Sequence, residues 1–164
     1  MTAEILSFPN PVNEKAARTV AFVVMLLAAI TLATSWYWLL VLLAYGFIAR
    51  VLTGPTLSPL GTLASRVVAP RLGAEKPVAG PPKRFAQGIG ATLTTAAAVA
   101  VLGFGANGLA DVLLAALILA AGLESIFGYC LGCQVFALLM RAGVIPEHVC
   151  VECADISRRS PARA

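Results

Sequence analysis

The cysteines are the residues of this sequence best suited to chemistry, and all four lie near its C-terminal end. They form two C-x-x-C pairs, Cys130/Cys133 and Cys150/Cys153, with sixteen residues between the pairs. This spacing is typical of a four-thiolate zinc site, because each pair can hold one edge of a tetrahedral ion. A C-x-x-C pair at the start of a helix can instead act as a redox dithiol. The same residues therefore support two kinds of chemistry.

Both kinds of chemistry need thiolates, and the surroundings of the first pair favour them. Gly128 is expected to end one helix and residues 134–143 to form the next, which places Cys130 and Cys133 at a helix N-terminus. Unpaired amide groups and the helix dipole stabilise a thiolate there. Residues 144–149 are about 20 Å long when extended, which is enough to bring the second pair back to the first.

The composition indicates an integral membrane protein, so membrane lipid is an expected partner. Of the 164 residues, 59% are hydrophobic and 12% are charged, against about 25% charged in soluble domains. The net charge of +4 is not accompanied by alternating basic and aromatic residues, so no nucleic-acid partner is expected. Hydrolase and nucleotide-binding motifs are absent, which leaves at most a component of thiol–disulfide exchange as an enzymatic role.

An all-α fold with four transmembrane helices is predicted from the uncharged stretches. Residues 19–49 carry no charge and would form one helix about 46 Å long, although a hydrocarbon core is only about 30 Å thick. The polar and aromatic residues 34–38 therefore predict a turn. We expect membrane spans over residues 14–33, 36–53, 83–104 and 109–129, and short interfacial helices over residues 60–72 and 134–143.

The two predicted hairpins resemble one another, which indicates an internal repeat. A shift of 74 residues places Leu40 on Leu114 and Arg50 on Glu124. An even number of spans in each half makes this a parallel repeat about an axis along the membrane normal. The predicted parts are a polar N-terminal segment (residues 1–13), the first hairpin with its interfacial helix (14–72), a linker (73–82), the second hairpin with its short helix (83–143) and a cysteine-containing tail (144–164).

Arg50 and Glu124 occupy equivalent repeat positions near the ends of the second and fourth spans. Because an unpaired charge is costly in the membrane, we expect a structural ion pair between them across the repeat axis. The alternative is that both side chains extend to the membrane surface.

The positions of the basic residues predict how the chain is oriented in the membrane. All twelve Lys and Arg fall on one side of the four-span arrangement, and the positive-inside rule makes that side cytoplasmic. Both termini, the linker and all four cysteines are then cytoplasmic. Since that compartment is reducing, permanent disulfides are disfavoured relative to a metal site or exchanging thiols.

Three stretches of the sequence carry a resemblance to a known family: residues 8–18, residues 81–87 (PPKRFAQ) and residues 127–133 (FGYCLGC). In these stretches the chain resembles the bacterial domain-of-unknown-function family 4395, and the resemblance covers nearly the whole sequence. It implies a multi-pass protein of the bacterial inner membrane. It also implies a thioredoxin-like or sulfurtransferase partner, because such proteins are often encoded near the family's members. The first pair, Cys130/Cys133, is the one that matches the family pattern.

These observations leave three hypotheses. In the first, Cys130 or Cys133 exchanges with a thioredoxin-like or sulfurtransferase partner, and Cys150/Cys153 is the second dithiol of a thiol or sulfur relay. In the second, the four cysteines bind one zinc ion and hold the C-terminal segment on a non-catalytic membrane scaffold. The third is a small sulfur-compound transporter with the cysteines at its mouth, which is disfavoured because no basic residue marks a path near mid-membrane. A homo-oligomer is left open.

Overall fold

The computed structural model describes residues 8–154, whose regular structure is almost entirely helical. Three helices are long and apolar enough to cross a membrane, so the expectation of a helical, membrane-type chain is confirmed. Residues 1–7 and 155–164, which belong to the predicted N-terminal segment and tail, lie outside the described residues. In chain order the described elements are β1 (Val12–Asn13), α1 (Glu14–Thr34), α2 (Leu39–Thr53), α3 (the consecutive segments Pro59–Leu63, Ala64–Val68 and Ala69–Arg71), β2 (Pro77–Val78), α4 (Gly80–Gly103), α5 (Asn107–Phe127), α6 (Leu131–Arg141), a 3-10 turn (Glu147–Val149) and α7 (Val151–Ala154).

The three helices that could span a membrane are α1, α4 and α5. Helix α2 is also apolar but has only 15 residues, a length of about 22 Å. It begins three residues later than predicted because Ser35 adopts a left-handed conformation with φ 54° and the following aromatic residues form a turn. The amide N–H of Tyr37 donates to the carbonyl of Ser35 within that turn.

The four longest helices pack around a common apolar core. Helix α1 lies against α5, α2 lies against α4, and α4 also contacts α5. The short helix α3 packs on α1, and α6 packs on α4. The core contains Val24, Ala28, Leu40, Leu114 and Leu117. Many large apolar side chains face outward instead, as expected where lipid rather than water surrounds the helices.

The predicted linker is tied to the N-terminal segment rather than free. Strand β2 pairs antiparallel with β1, and the amide N–H of Gly80 donates 2.8 Å to Asn10 Oδ1. Lys76 and Glu14 form an ion pair of 2.8 Å beside this pairing. Helix α4 begins at Gly80, earlier than predicted, because Pro81 and Pro82 fit the first helical turn, where amide hydrogens lack helical partners. This pairing orients the start of α4, the helix on which α6 rests.

Candidate functional site

Cys130 and Cys133 lie at the start of α6, just after the end of α5. Gly128 ends α5 in a left-handed conformation, φ 70°, which glycine adopts without steric cost. Cys130 is extended, with φ −89° and ψ 105°, and is the residue that precedes the first turn of α6. Both thiols are free; Cys130 is 7% exposed and Cys133 is half-buried. The helix begins at Leu131, earlier than the sequence indicated.

A close contact with α4 holds the first turn of α6 in place. Gly132 packs so tightly on α4 that a Cβ atom at this position would lie 2.5 Å from the Cβ of Ala86. One turn further along, the rings of Phe85 and Phe136 meet edge to face, with 5.6 Å between their centroids. These contacts place the two thiols beside the charged residues at the start of α4 and the end of α5.

Lys83 and Glu124 form the ion pair nearest to the thiols. Lys83 Nζ lies 2.5 Å from Glu124 Oε1, and only 9% and 14% of the two side chains are exposed. Lys83 comes from α4 and Glu124 from the wide last turn of α5. The contact therefore joins the two helices that flank the cysteine pair.

The pKa values of the two thiols are shifted in opposite directions. A hydrogen bond from the Cys133 thiol lowers the pKa of Cys130 and the positive charge of Lys83 acts in the same direction, whereas burial and the negative charge of Glu124 raise it. The same hydrogen bond, together with burial, raises the pKa of Cys133. Cys130 is therefore the sulfur that ionises first, and Cys133 is the one that retains its proton. This asymmetry suits a C-x-x-C dithiol that exchanges disulfides, because the sulfur with the lower pKa is more often a thiolate and leaves more readily.

The predicted ion pair between Arg50 and Glu124 does not form, although the structure describes both residues. Arg50 Nε donates 2.9 Å to Gln87 Oε1, and Arg50 Nη1 donates 3.3 Å to Ser58 Oγ, while Glu124 pairs with Lys83. The reason is that α4 packs against both α2 and α5. Lys83 and Gln87 lie one turn apart on α4, so each binds one of the two charges. The predicted repeat relates only the two equivalent positions and carries no information about α4, the helix that lies between them.

Cys150 and Cys153 differ from the first pair because they are bonded to each other in a disulfide. Cys150 is buried, and the neighbouring His148 is exposed. Within the part of the chain that the structure describes, no three His, Cys, Asp or Glu residues gather as metal ligands would. The four-thiolate zinc site therefore stays a prediction from the cysteine spacing.

A cavity of about 280 Å³ lies among the helices beside Cys130. Its lining is mostly apolar, and the polar residues among it are Gln87 and Glu124 in addition to the cysteine. Lys83 and Gln87 were not among the predicted site residues. Both belong to the stretch PPKRFAQ on which the family resemblance was based, and that stretch was the available signal for them.

Comparison with known proteins gives the chain a family. No curated protein and no solved structure matches it. A family model matches residues 12–141, from β1 to the end of α6. The matched region includes Cys130 and Cys133 and stops before Cys150 and Cys153. The chain belongs to the family described as "Domain of unknown function (DUF4395)".

Proposed function

We propose that this protein is a bacterial inner-membrane component of a thiol–disulfide or sulfur relay, and that its Cys130/Cys133 dithiol exchanges with a thioredoxin-like or sulfurtransferase partner. The observation that carries the proposal is the placement of two free thiols, Cys130 and Cys133, at the start of α6 beside the buried Lys83–Glu124 ion pair, and the pKa directions of the two sulfurs agree with it. Cys130 has a lowered pKa and Cys133 a raised one at the start of one helix. One sulfur is then suited to leave or attack as a thiolate, and the other to hold a proton.

The difference in exposure indicates the order of exchange. When the pair is oxidised, the thiolate of a reduced partner attacks Cys133, which is half-buried, rather than Cys130, which is 7% exposed. The bond between the two cysteines breaks, Cys130 leaves as the thiolate, and a mixed disulfide joins Cys133 to the partner. The partner's second thiol then displaces Cys133. One dithiol has been oxidised and one disulfide reduced, with two electrons passed to this protein.

The second pair extends the relay. Cys150 and Cys153 are disulfide-bonded in the structure while Cys130 and Cys133 are free. In the proposed relay Cys150/Cys153 acts as the second dithiol.

The membrane arrangement belongs to the proposal. We place α2 in the membrane as the fourth span, with both termini and the cysteines in the cytoplasm. Support for two repeats comes from two contacts whose acceptors, although not their donors, follow the repeat offset. Arg18 Nη2 donates 3.0 Å to the carbonyl of Ser125 near the end of α5, and Arg84 Nε donates 3.0 Å to the carbonyl of Val51 near the end of α2. Val51 and Ser125 differ by 74 positions, which is the repeat offset.

The test begins with metal content and free thiols per chain, on protein purified in mild detergent without chelator. The oxidised chain is then mixed with a thioredoxin whose second active-site cysteine is Ser, and the mixed disulfide is mapped by peptide mass spectrometry. A variant with Cys150→Ser and Cys153→Ser limits exchange to the first pair. The proposal predicts a mixed disulfide at Cys133 and none in the Cys133→Ser variant.

Other results would favour the alternatives. About one zinc per chain, with thiols that react only after the metal is removed, would favour the structural scaffold that the cysteine spacing suggests. Failure of all four cysteines to exchange, combined with uptake of thiosulfate or sulfite into proteoliposomes, would favour the transporter.

A further inference from the structure

The cavity beside Cys130 has the properties of a site for a small apolar ligand. Its volume of about 280 Å³ is just below the ~300–1,000 Å³ range of small-molecule sites. Such a volume suits one substituted ring and excludes a long hydrocarbon tail. The apolar part of its wall is contributed by α1, α2, α4, α5 and α6, and includes Val24, Phe47, Leu93 and Leu117.

The rim of the cavity is apolar and exposed. Ile89 of α4 and Leu131 and Val135 of α6 line the cavity, and they are 36%, 40% and 42% exposed, respectively. In a membrane, such a rim is compatible with entry from the lipid, and a long hydrocarbon tail could remain outside among the lipid chains. The cavity is therefore suited to a lipid-soluble molecule with a compact head group.

The polar residues of the cavity suit a carbonyl oxygen. Gln87 Oε1 already accepts a hydrogen bond from Arg50, and this fixes the amide so that its NH₂ group is the part left to donate. The Lys83–Glu124 ion pair adjoins the same space, because Glu124 is among the lining residues. A neutral ring with carbonyl groups can use these donors without bringing a net charge into the membrane.

Cys130 connects this cavity to the dithiol. It is among the lining residues, whereas Cys133 is not, and Cys133 has the larger exposed fraction of the two. A protein partner and a cavity ligand would therefore approach the dithiol through different sulfurs.

We propose that the cavity binds the ring of a membrane quinone, which accepts the electrons of the Cys130/Cys133 dithiol. This inference rests on the proposed thiol-exchange function and adds its electron acceptor. The two thiols form one S–S bond and lose two electrons and two protons, and the quinone takes up two electrons and two protons to become a quinol. Where Cys130 starts as a thiolate, solvent supplies the second proton. A thioredoxin-like partner then reduces the disulfide again through Cys133.

The experiment uses decyl-ubiquinone, whose fully substituted ring cannot be alkylated directly by a thiol. Reduced protein carrying Cys150→Ser and Cys153→Ser is mixed with it without oxygen. Quinol is followed by absorbance, and the Cys130–Cys133 disulfide by mass spectrometry after alkylation. Ala120, which is half-buried in the cavity wall, is changed to Leu to fill the space; Ala116, exposed on the same helix, is changed to Leu as the matched control. Exchange with thioredoxin is measured on every variant.

We expect one quinol per disulfide formed in the parent protein and in Ala116→Leu, and quinol formation about tenfold slower or more in Ala120→Leu. Exchange with thioredoxin should be equal in all three, which also shows that Ala120→Leu keeps the dithiol folded. Normal exchange with no quinol formed, or equal quinol rates in the two Leu variants, would overturn the quinone inference and leave the proposed function intact. Failure of both quinone reduction and thioredoxin exchange would overturn both.

Discussion

The phenol of Tyr37 donates a 3.0 Å hydrogen bond to Asp111 Oδ1, between residues that are 74 positions apart. The same offset relates Leu40 to Leu114, both of which are fully buried in the core. The bond joins the turn before α2 to the first turns of α5, at the end of the helices opposite Cys130. In the proposed repeat, Tyr37 and Asp111 occupy equivalent positions, and their contact places both residues near the proposed repeat axis.

This hydrogen bond predicts a pKa shift of Tyr37 that can be measured. The hydrogen bond to Asp111 raises the pKa of Tyr37. Because the protonated phenol is favoured in the fold, the stability it contributes is present below the ordinary tyrosine pKa and is lost as pH rises through the raised value. In an ultraviolet pH titration, Asp111→Asn should move one phenolate transition to lower pH, and Tyr37→Phe should remove that transition. An Asp111→Asn titration identical to that of the parent would contradict the bond.

The asymmetry of the thiols predicts how alkylation depends on pH. Iodoacetamide should modify Cys130 before Cys133, and at lower pH than an ordinary thiol, because the Cys133 thiol lowers the pKa of Cys130. Cys133→Ala removes the donor and should move the midpoint for Cys130 to higher pH. Cys133→Ser keeps a hydroxyl donor and should move it less. These rates are measured in a background with Cys150→Ser and Cys153→Ser, and equal midpoints in Ala and Ser variants would contradict the hydrogen bond.

The Lys83–Glu124 pair predicts opposite effects on Cys130 from its two members. Lys83→Gln should raise the pKa of Cys130 and Glu124→Gln should lower it further, since the positive charge lowers that pKa and the negative charge raises it. Each single change leaves one buried charge unpaired and should cost about 3–5 kcal/mol of stability. The double variant should be less destabilised than the sum of the two, as measured by unfolding in detergent. If both single variants shifted the pKa of Cys130 equally and in the same direction, the charges of Lys83 and Glu124 would not be what sets that pKa.

The contact between α6 and α4 predicts a contrast between two glycines. Gly132→Ala would place a Cβ atom 2.5 Å from the Cβ of Ala86, so α6 must move away from α4 and from Lys83. Thermal stability should fall, and the rate of Cys130 alkylation should change. Gly88→Ala on α4 is the matched control, because its Cβ would meet open space and Ala favours a helix by about 0.5–1 kcal/mol over Gly. A stable Gly132→Ala protein with parental alkylation would show that this contact does not position the thiols.

Parts of the site could be predicted because they depend on neighbouring residues in the chain. The run of apolar residues in α1, the glycine that ends α5 and the two C-x-x-C pairs are local patterns, and local patterns set helix positions and place Cys130 at a helix start. The start of α2 was predicted three residues early because Ser35 and the aromatic residues after it are compatible with either a helix end or a turn.

The other features of the site depend on helix packing, which brings together residues that are distant in the chain. The sequence by itself determined an apolar, helical chain with its thiols at the start of a short helix, since hydropathy and turn residues act over a few positions. Only the tertiary structure decided that Glu124 pairs with Lys83 instead of Arg50, and that a cavity opens beside Cys130. Both depend on α4 packing against α2 and α5 at once, and the partner of a buried charge is whichever group the packing places within hydrogen-bond reach.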